Sequence, residues 1–167
     1  MIRPYVMYPD RRLKTVAAPI DAVTDEIRAI WDDMVETMDA MPGYGLAGPQ
    51  IGVMLRLAVV DCSDSRGQAI RLANPEILHA SGQFRDHEEG SPNLPGATAV
   101  ISRPRAVTVR FLNAAGEVED RDFVDVWATS VQHQIDHLNG KLYIDHLSAL
   151  KKKMVIAKSE KYLRRVG

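Results

Sequence analysis

Two histidines stand four residues apart in the segment Gln132-His133-Gln134-Ile135-Asp136-His137. On a helix, side chains at that spacing lie on one face about a turn apart, which is the spacing of two metal ligands. Two such imidazoles also occur as ordinary core or capping residues, so the pair alone does not decide. The residue between them bears on the chemistry. In metallohydrolases with this kind of helix a glutamate follows the first histidine, takes a proton from metal-bound water and returns it to the leaving group. Here that position is Gln134. Its amide is nearly isosteric with a carboxylate but neither ionises nor accepts a proton usefully near neutral pH.

A helix must carry the pair, and one is predicted over about Val124 to Leu138, ending at Asn139-Gly140 where a left-handed exit is expected. An earlier helix is predicted with Thr24 as N-cap, Ile27, Ile30, Trp31, Met34, Val35 and Met38 at helical spacing, and Pro42-Gly43 as the stop. The glycines and proline of Gly43 to Gly52 predict a tight, shaped loop rather than a regular element. Arg56 to Val60, Ala69 to Ala73, Ala97 to Ile101 and Ala106 to Leu112 read as short strands, with Asn113-Ala114-Ala115-Gly116 as a hairpin turn. A last helix over about Ser148 to Val166 sets Lys151, Lys152, Lys153, Lys158, Lys161, Arg164 and Arg165 against Glu160 alone. The order helix, strands, helix, helix reads as α+β.

A chain of 167 residues that is 46% hydrophobic is long enough for one sizeable core, so a single domain over 1–167 is expected. The formal charge of -1 gives no global reason to bind DNA or an anionic membrane. No segment approaches the roughly 20 apolar residues of a spanning helix. The lone Cys62 excludes an internal disulfide, and Met1-Ile2-Arg3-Pro4-Tyr5 lacks the apolar run of a signal peptide, so a cytoplasmic setting is expected.

Three segments, in order and spacing, resemble the peptide deformylase family, whose motifs have the form Gly-x-Gly-x-Ala-Ala-x-Gln with apolar x before the alanines, Glu-Gly-Cys-Leu-Ser, and Gln-His-Glu-x-Asp-His. Gly43 to Gln50 fits the first with Gly48 for its second alanine; Glu89-Gly90-Ser91-Pro92-Asn93 sits where the second belongs; Gln132 to His137 fits the third except at Gln134. Arg103-Pro104 and Asp145-His146-Leu147 extend the likeness over nearly the whole chain. The resemblance implies a deformylase-like fold, with mixed or antiparallel sheets around a central helix bearing the histidine pair and a C-terminal helix beyond. It implies removal of the formyl group from the initiator methionine of nascent chains. By position, it implies a divalent metal, iron or a substitute such as zinc or nickel, on His133, His137 and residue 91. Gln50 would steady the oxyanion with the backbone N–H of residue 92. Gly43, Gly45, Leu46, Glu89 and Gly90 would shape the substrate cleft, and Val126, Thr129 and Ser130 the methionine pocket, made less apolar by the last two. Arg103 and Asp136 would fix the metal helix against the strands, and the basic C-terminal helix would dock on the ribosome.

Three departures fall on the chemistry. Ser91 replaces the cysteine ligand, and a neutral hydroxyl is a poor ligand where a thiolate is a soft, anionic one. Pro92 has no backbone N–H, so one oxyanion donor is absent. Gln134 replaces the base. Losing an oxyanion donor typically costs on the order of 10²–10³ in rate and losing a general acid/base roughly 10²–10⁴, without the factors having to multiply. Deformylation is therefore expected to be lost or strongly reduced and metal binding weak or absent, with the cleft still taking a formyl-methionyl or related N-terminus. Cys62, outside the motifs, is not expected to substitute as ligand. The alternative is an active metal-dependent amide hydrolase with a modified ligand set, for which His87, Glu88 and Glu89 are the nearby candidates, although an exposed polar loop is the simpler reading of that run. A third reading is a fold kept as oligomeric partner of an intact deformylase.

Overall fold

The computed structural model describes residues 1–167. Helix α1 (Asp25–Ala40) starts at Thr24, whose side chain accepts the Ile27 N–H, and places Asp25 and Glu26 in its first turn. Those acidic groups lie beside the unpaired N–H groups at the positive end of the helix. The expected stripe is the buried one: Ile27, Trp31, Met34 and Met38 pack into one core cluster with Leu46, Leu57 and Val59. Seven strands follow: β1 (Gly45–Ala47), β2 (Leu57–Val60), β3 (Ile70–Ala80), β4 (Phe84–Ser91), β5 (Leu94–Pro104), β6 (Ala106–Leu112) and β7 (Val118–Val124). Five form one sheet in the order β1-β2-β3-β6-β7, while β4 and β5 form a separate hairpin, and every ladder is antiparallel. The architecture is α+β, as expected.

Several local expectations are corrected. The stretch Gly43 to Gly52 is not wholly a loop, because it contains β1 and a 3-10 turn at Gly48–Ile51. Pro49 fits near the start of that turn, where its missing N–H would have had no partner. Gly52 leaves the turn at φ +78°. The strand expected to end at Ala73 runs to Ala80, the run His87-Glu88-Glu89 lies in the strand Phe84–Ser91 rather than in an exposed loop, and Val118–Val124 is a further strand. β7 forms one edge of the sheet, where charged side chains discourage further pairing.

Helix α2 (Asp125–Leu138) is the central element. Every residue from Ala128 to Ile135 is buried, as are His137 and Leu138, which fits its place between the five-stranded sheet and the hairpin. Its cap residue Asn139 has φ -94°, and the left-handed position of the exit is Gly140 at φ +73°. Helix α3 (Ala149–Val166) starts at Ser148, which caps the Lys151 N–H, and leans on β5. Val155 joins Leu94, Ala97 and Ile101 in a core cluster, the Ser159 hydroxyl donates to the Pro95 carbonyl at 2.6 Å, and the Tyr162 ring covers Gly96. No helix is long and apolar enough to cross a membrane.

A buried ionic network fixes α2 to the hairpin. Arg103 of β5 donates to both carboxylate oxygens of Glu89 on β4, at 2.6 and 2.9 Å, and to Asp136 of α2 at 2.9 Å. Asp136 also lies 2.8 Å from His146 Nε2 in the 3-10 turn Tyr143–His146. The pair Arg103–Asp136 implied by the sequence is present, with Glu89 as the stronger partner. Breaking a buried pair from one side strands the other charge, so Arg103→Met should lower unfolding free energy by about 3–5 kcal/mol in urea denaturation. A change within about 0.5 kcal/mol would show that the network does not hold the helix.

Gly96 makes a second, steric demand. Its φ is +81°, and a Cβ there would lie 2.3 Å from the Tyr162 side chain. Gly96→Ala should cost about 1–3 kcal/mol of overpacking plus backbone strain. Placing it in a Tyr162→Ala background should recover the steric part; equal losses in both backgrounds would assign the cost to the backbone alone.

Candidate active site

The cleft lies between β1, the β4–β5 hairpin and α2 and encloses about 370 Å³. Gly43, Gly45 and Gln50 line it from the first motif, Glu89, Gly90, Ser91 and Pro92 from the second, and His133 and Gln134 from the third. Val126, Thr129 and Ser130 complete one wall from α2. Leu46 does not belong with them: its side chain is buried in the core against α1, because β1 alternates its faces and turns residue 46 away from the cleft. His137 is fully enclosed beneath His133.

The histidines are held by unequal partners. His133 Nδ1 lies 2.8 Å from Glu89 Oε1, and its Nε2 lies 3.1 Å from His137 Nε2. Burial by itself would raise the Glu89 pKa, but hydrogen bonds from His133 and Arg103 outweigh it and hold the group at about 2. Burial lowers the His137 pKa well below its usual value, with the fields of His133 and Arg103 adding to the effect, so this imidazole stays neutral. The two Nε2 atoms thus face each other across 3.1 Å, near the separation of two nitrogens that each lie about 2.0–2.1 Å from one tetrahedral metal ion. His137 Nδ1 has no partner.

Ser91 belongs to a different network. Ser91 Oγ donates to Asn93 Oδ1 at 3.0 Å and lies 3.5 Å from Gln50 Nε2. Gln50 accepts the Ala47 N–H at 2.9 Å and donates to Asn93 Oδ1 at 2.7 Å, while Asn93 Nδ2 donates to the carbonyls of Val6 and Gln50. Pro92 and Asn93 form the tight turn between β4 and β5, a place where a fixed proline φ is favourable. No group of three His, Cys, Asp or Glu side chains converges as a metal site. The residues present offer two facing imidazole nitrogens, and where a thiolate-and-two-imidazole set would have its thiolate they offer the neutral Ser91 hydroxyl, bonded to Asn93.

The candidates for a modified ligand set stand on β4 rather than on a loop. Glu89 is consumed by Arg103 and by the outer nitrogen of His133, and Glu88 accepts the Thr98 hydroxyl at 2.8 Å. His87 faces the cleft with its Nδ1 buried and unpartnered. Cys62 comes closer to the cleft than its place in the chain suggests, with its thiol 3.8 and 3.7 Å from the carbonyls of Tyr44 and Val126. Burial pushes that thiol up to about 12, so it is neutral and behind the wall, apart from the histidines.

On the α2 wall beside Val126, the Thr129 and Ser130 side chains are polar. Thr129 Oγ1 accepts from Arg85 at 3.3 Å, and the Ser130 hydroxyl donates to the Tyr44 carbonyl at 2.9 Å. Gln134 is only 4% exposed, its Oε1 has no partner, and a Cβ at Gly45 would lie 2.5 Å from its Nε2. Glycine at 45 is thus what lets this amide lie against β1. Sequence reasoning passed over Tyr5, Met38, Met41 and the Pro95–Thr98 segment, all on the cleft wall, and the role of Asn93. Asn93 had a signal: it stands where the second motif ends in serine, and the longer amide is what reaches Gln50.

Comparison with known proteins agrees with this geometry. The family model described as "Polypeptide deformylase" matches residues 2–153. A peptide deformylase of Rhodopseudomonas palustris is 41% identical over 168 residues, covering 98% of this chain and 96% of that protein. One from Afipia carboxidovorans is 43% identical over 162 residues, covering 96% and 95%. Among solved structures, a peptide deformylase from Legionella pneumophila superposes with a TM-score of 0.93 at 38% identity, covering 98% of this chain and 96% of that one. That from Ehrlichia chaffeensis in complex with actinonin gives 0.91 at 32% identity, covering 96% and 97%. The chain belongs to the polypeptide deformylase family.

Proposed function

We propose that the cleft receives the formyl-methionyl N-terminus of nascent chains, the substrate of the family, and that hydrolysis there is lost or strongly reduced. The observation that carries the second half is Gln134. It sits beside the histidine pair where a proton acceptor is required, and an amide cannot serve as one near neutral pH. Ser91 and Pro92 act in the same direction, since the hydroxyl is a weak ligand and proline brings no N–H to an oxyanion. Metal binding is accordingly weak or absent in this reading. The lone cysteine supports a cytoplasmic setting. The exposed side chains of Lys151, Lys153, Lys158, Lys161, Arg164 and Arg165 on α3 support docking on the ribosome through its phosphates.

Family membership favours a second reading, an active deformylase with an altered ligand set. The relatives compared above are peptide deformylases, and the histidine pair, Gln50 and the cleft are all in place. Deformylation of a formyl-Met peptide, with metal content measured in parallel, separates the two. In the first reading the native protein is slower than the Ser91→Cys/Pro92→Leu/Gln134→Glu variant by at least about 10²-fold, and only the variant keeps metal through dialysis. Stoichiometric metal and comparable turnover in the native protein would establish the active enzyme.

Ribosome docking has its own readout. Cosedimentation should fall steeply as salt rises from 50 to 200 mM and weaken when Lys158, Lys161 and Arg165 are changed to Glu. No binding at low salt would leave the helix as a solvated basic face.

A further inference from the structure

One wall of the cleft is made by Pro95, Gly96, Ala97 and Thr98. These residues depart from the hairpin ladder. Ser91 pairs with Leu94 and Glu89 with Ala99, so between those pairs β5 has these four residues where β4 has Gly90 alone. Such an irregularity leaves the longer strand without regular partners and lets it bend. Gly96, at φ +81°, adds no side chain to stiffen it. The supports come from elsewhere in the chain, chiefly from α3. The Ser159 hydroxyl donates to the Pro95 carbonyl at 2.6 Å, and the Tyr162 side chain lies so close to Gly96 that a Cβ there would stand 2.3 Å from it. Val155 packs with Leu94 and Ala97 in one core cluster. Tyr143, from the turn before α3, donates to the Ala97 carbonyl at 3.3 Å, and Thr98 reaches Glu88 at 2.8 Å. Neither Ser159 nor Tyr162 lines the cleft. Both also lie beyond residues 2–153, the stretch matched by the family model, so their contacts are no part of that match.

We infer that Ser159 and Tyr162 are positioning residues: from outside the cleft they brace its Pro95–Thr98 wall and so set how tightly the cleft holds a peptide. The effect on affinity rests on the reading that the cleft takes formylated N-termini. A segment with few ladder bonds opens locally at low cost unless other groups pack against it. The serine ties down the first carbonyl of the irregular stretch, and the tyrosine ring stops the second residue from retreating. With the ring removed, Gly96 can move into the space it leaves, and the wall samples wider forms that do not meet the peptide. Apparent affinity then falls by the fraction of time the wall is out of place. The helix that turns Lys158, Lys161 and Arg165 to solvent is thus also the helix that braces the cleft.

Amide hydrogen exchange over residues 94–99 of the wall and 128–135 of α2, with calorimetric binding of formyl-Met-Ala-Ser, tests this on the full chain. Tyr162→Ala should speed exchange in the wall by about tenfold and leave α2 within about twofold of native. It should weaken peptide binding by about fivefold. Tyr162→Phe, which keeps the ring, should match the native protein in both readouts, and Ser159→Ala should fall between. Equal speeding in the wall and in α2 would mean that Tyr162 merely stabilises the fold. That result overturns the inference, as does unchanged exchange in the wall, or native peptide affinity in Tyr162→Ala despite faster exchange there. A native protein that binds no peptide would remove the cleft reading and the effect on affinity with it, while the exchange pattern still decides whether α3 braces the wall.

Discussion

The carboxylate of Glu89 is bonded at once to the guanidinium of Arg103 on its own hairpin and to the imidazole of His133 on the central helix. Its side chain and that of Arg103 are 4% and 5% exposed, so each would be costly to bury without the other. α2 packs Ala128, Val131 and Ile135 into an apolar cluster with the sheet, and such contacts are individually weak and undirected. The ionic contacts do distinguish rotations. With Arg103 also reaching Asp136, one turn from His133, they set both the angle and the height of α2, and so the direction of every side chain it sends into the cleft.

The same contacts orient the first histidine through its outer nitrogen, the type of support that a metal-binding imidazole normally has. That support is intact in this chain although the groups nearest the reaction differ. Orientation and reactivity are therefore carried by separate residues. Glu89, Arg103 and Asp136 meet the demands of a buried helix whatever the cleft does, whereas Ser91, Pro92 and Gln134 stand on the cleft wall itself.

The sequence was most legible where one physical signal dominated. The α1 stripe, the Thr24 cap and the limits of α2 follow from helical periodicity and capping, and all three appear where expected. The strand at Ala106–Leu112 was equally plain. β4 and β7 were hidden because Arg-Asp-His-Glu-Glu and Glu-Asp-Arg-Asp carry charge on consecutive positions, and only pairing with β5 and β6 makes them strands. In the site, the motifs located the histidines, Gln50 and the hairpin turn. They could not show that Leu46 faces the core, that Asn93 bridges Ser91 to Gln50, or that α3 seats Tyr162 on Gly96 behind the cleft. Those contacts join residues distant along the chain and leave no period to read.

Substitutions at 91, 92 and 134 make physical sense as a set. A carboxylate at 134, buried as deeply as Gln134, needs a cation close by. His137 is held neutral, and Arg103 is already claimed by two other carboxylates. A thiolate at 91 needs a cation for the same reason. Without a strongly bound metal, either anion alone would raise the cost of the fold, and an amide and a hydroxyl remove both costs. Ser91 then gains Asn93 as a partner, and Pro92 stiffens the turn that presents them. Gln134 alone of the three gains nothing beyond the loss of charge, since its Oε1 has no partner within the protein.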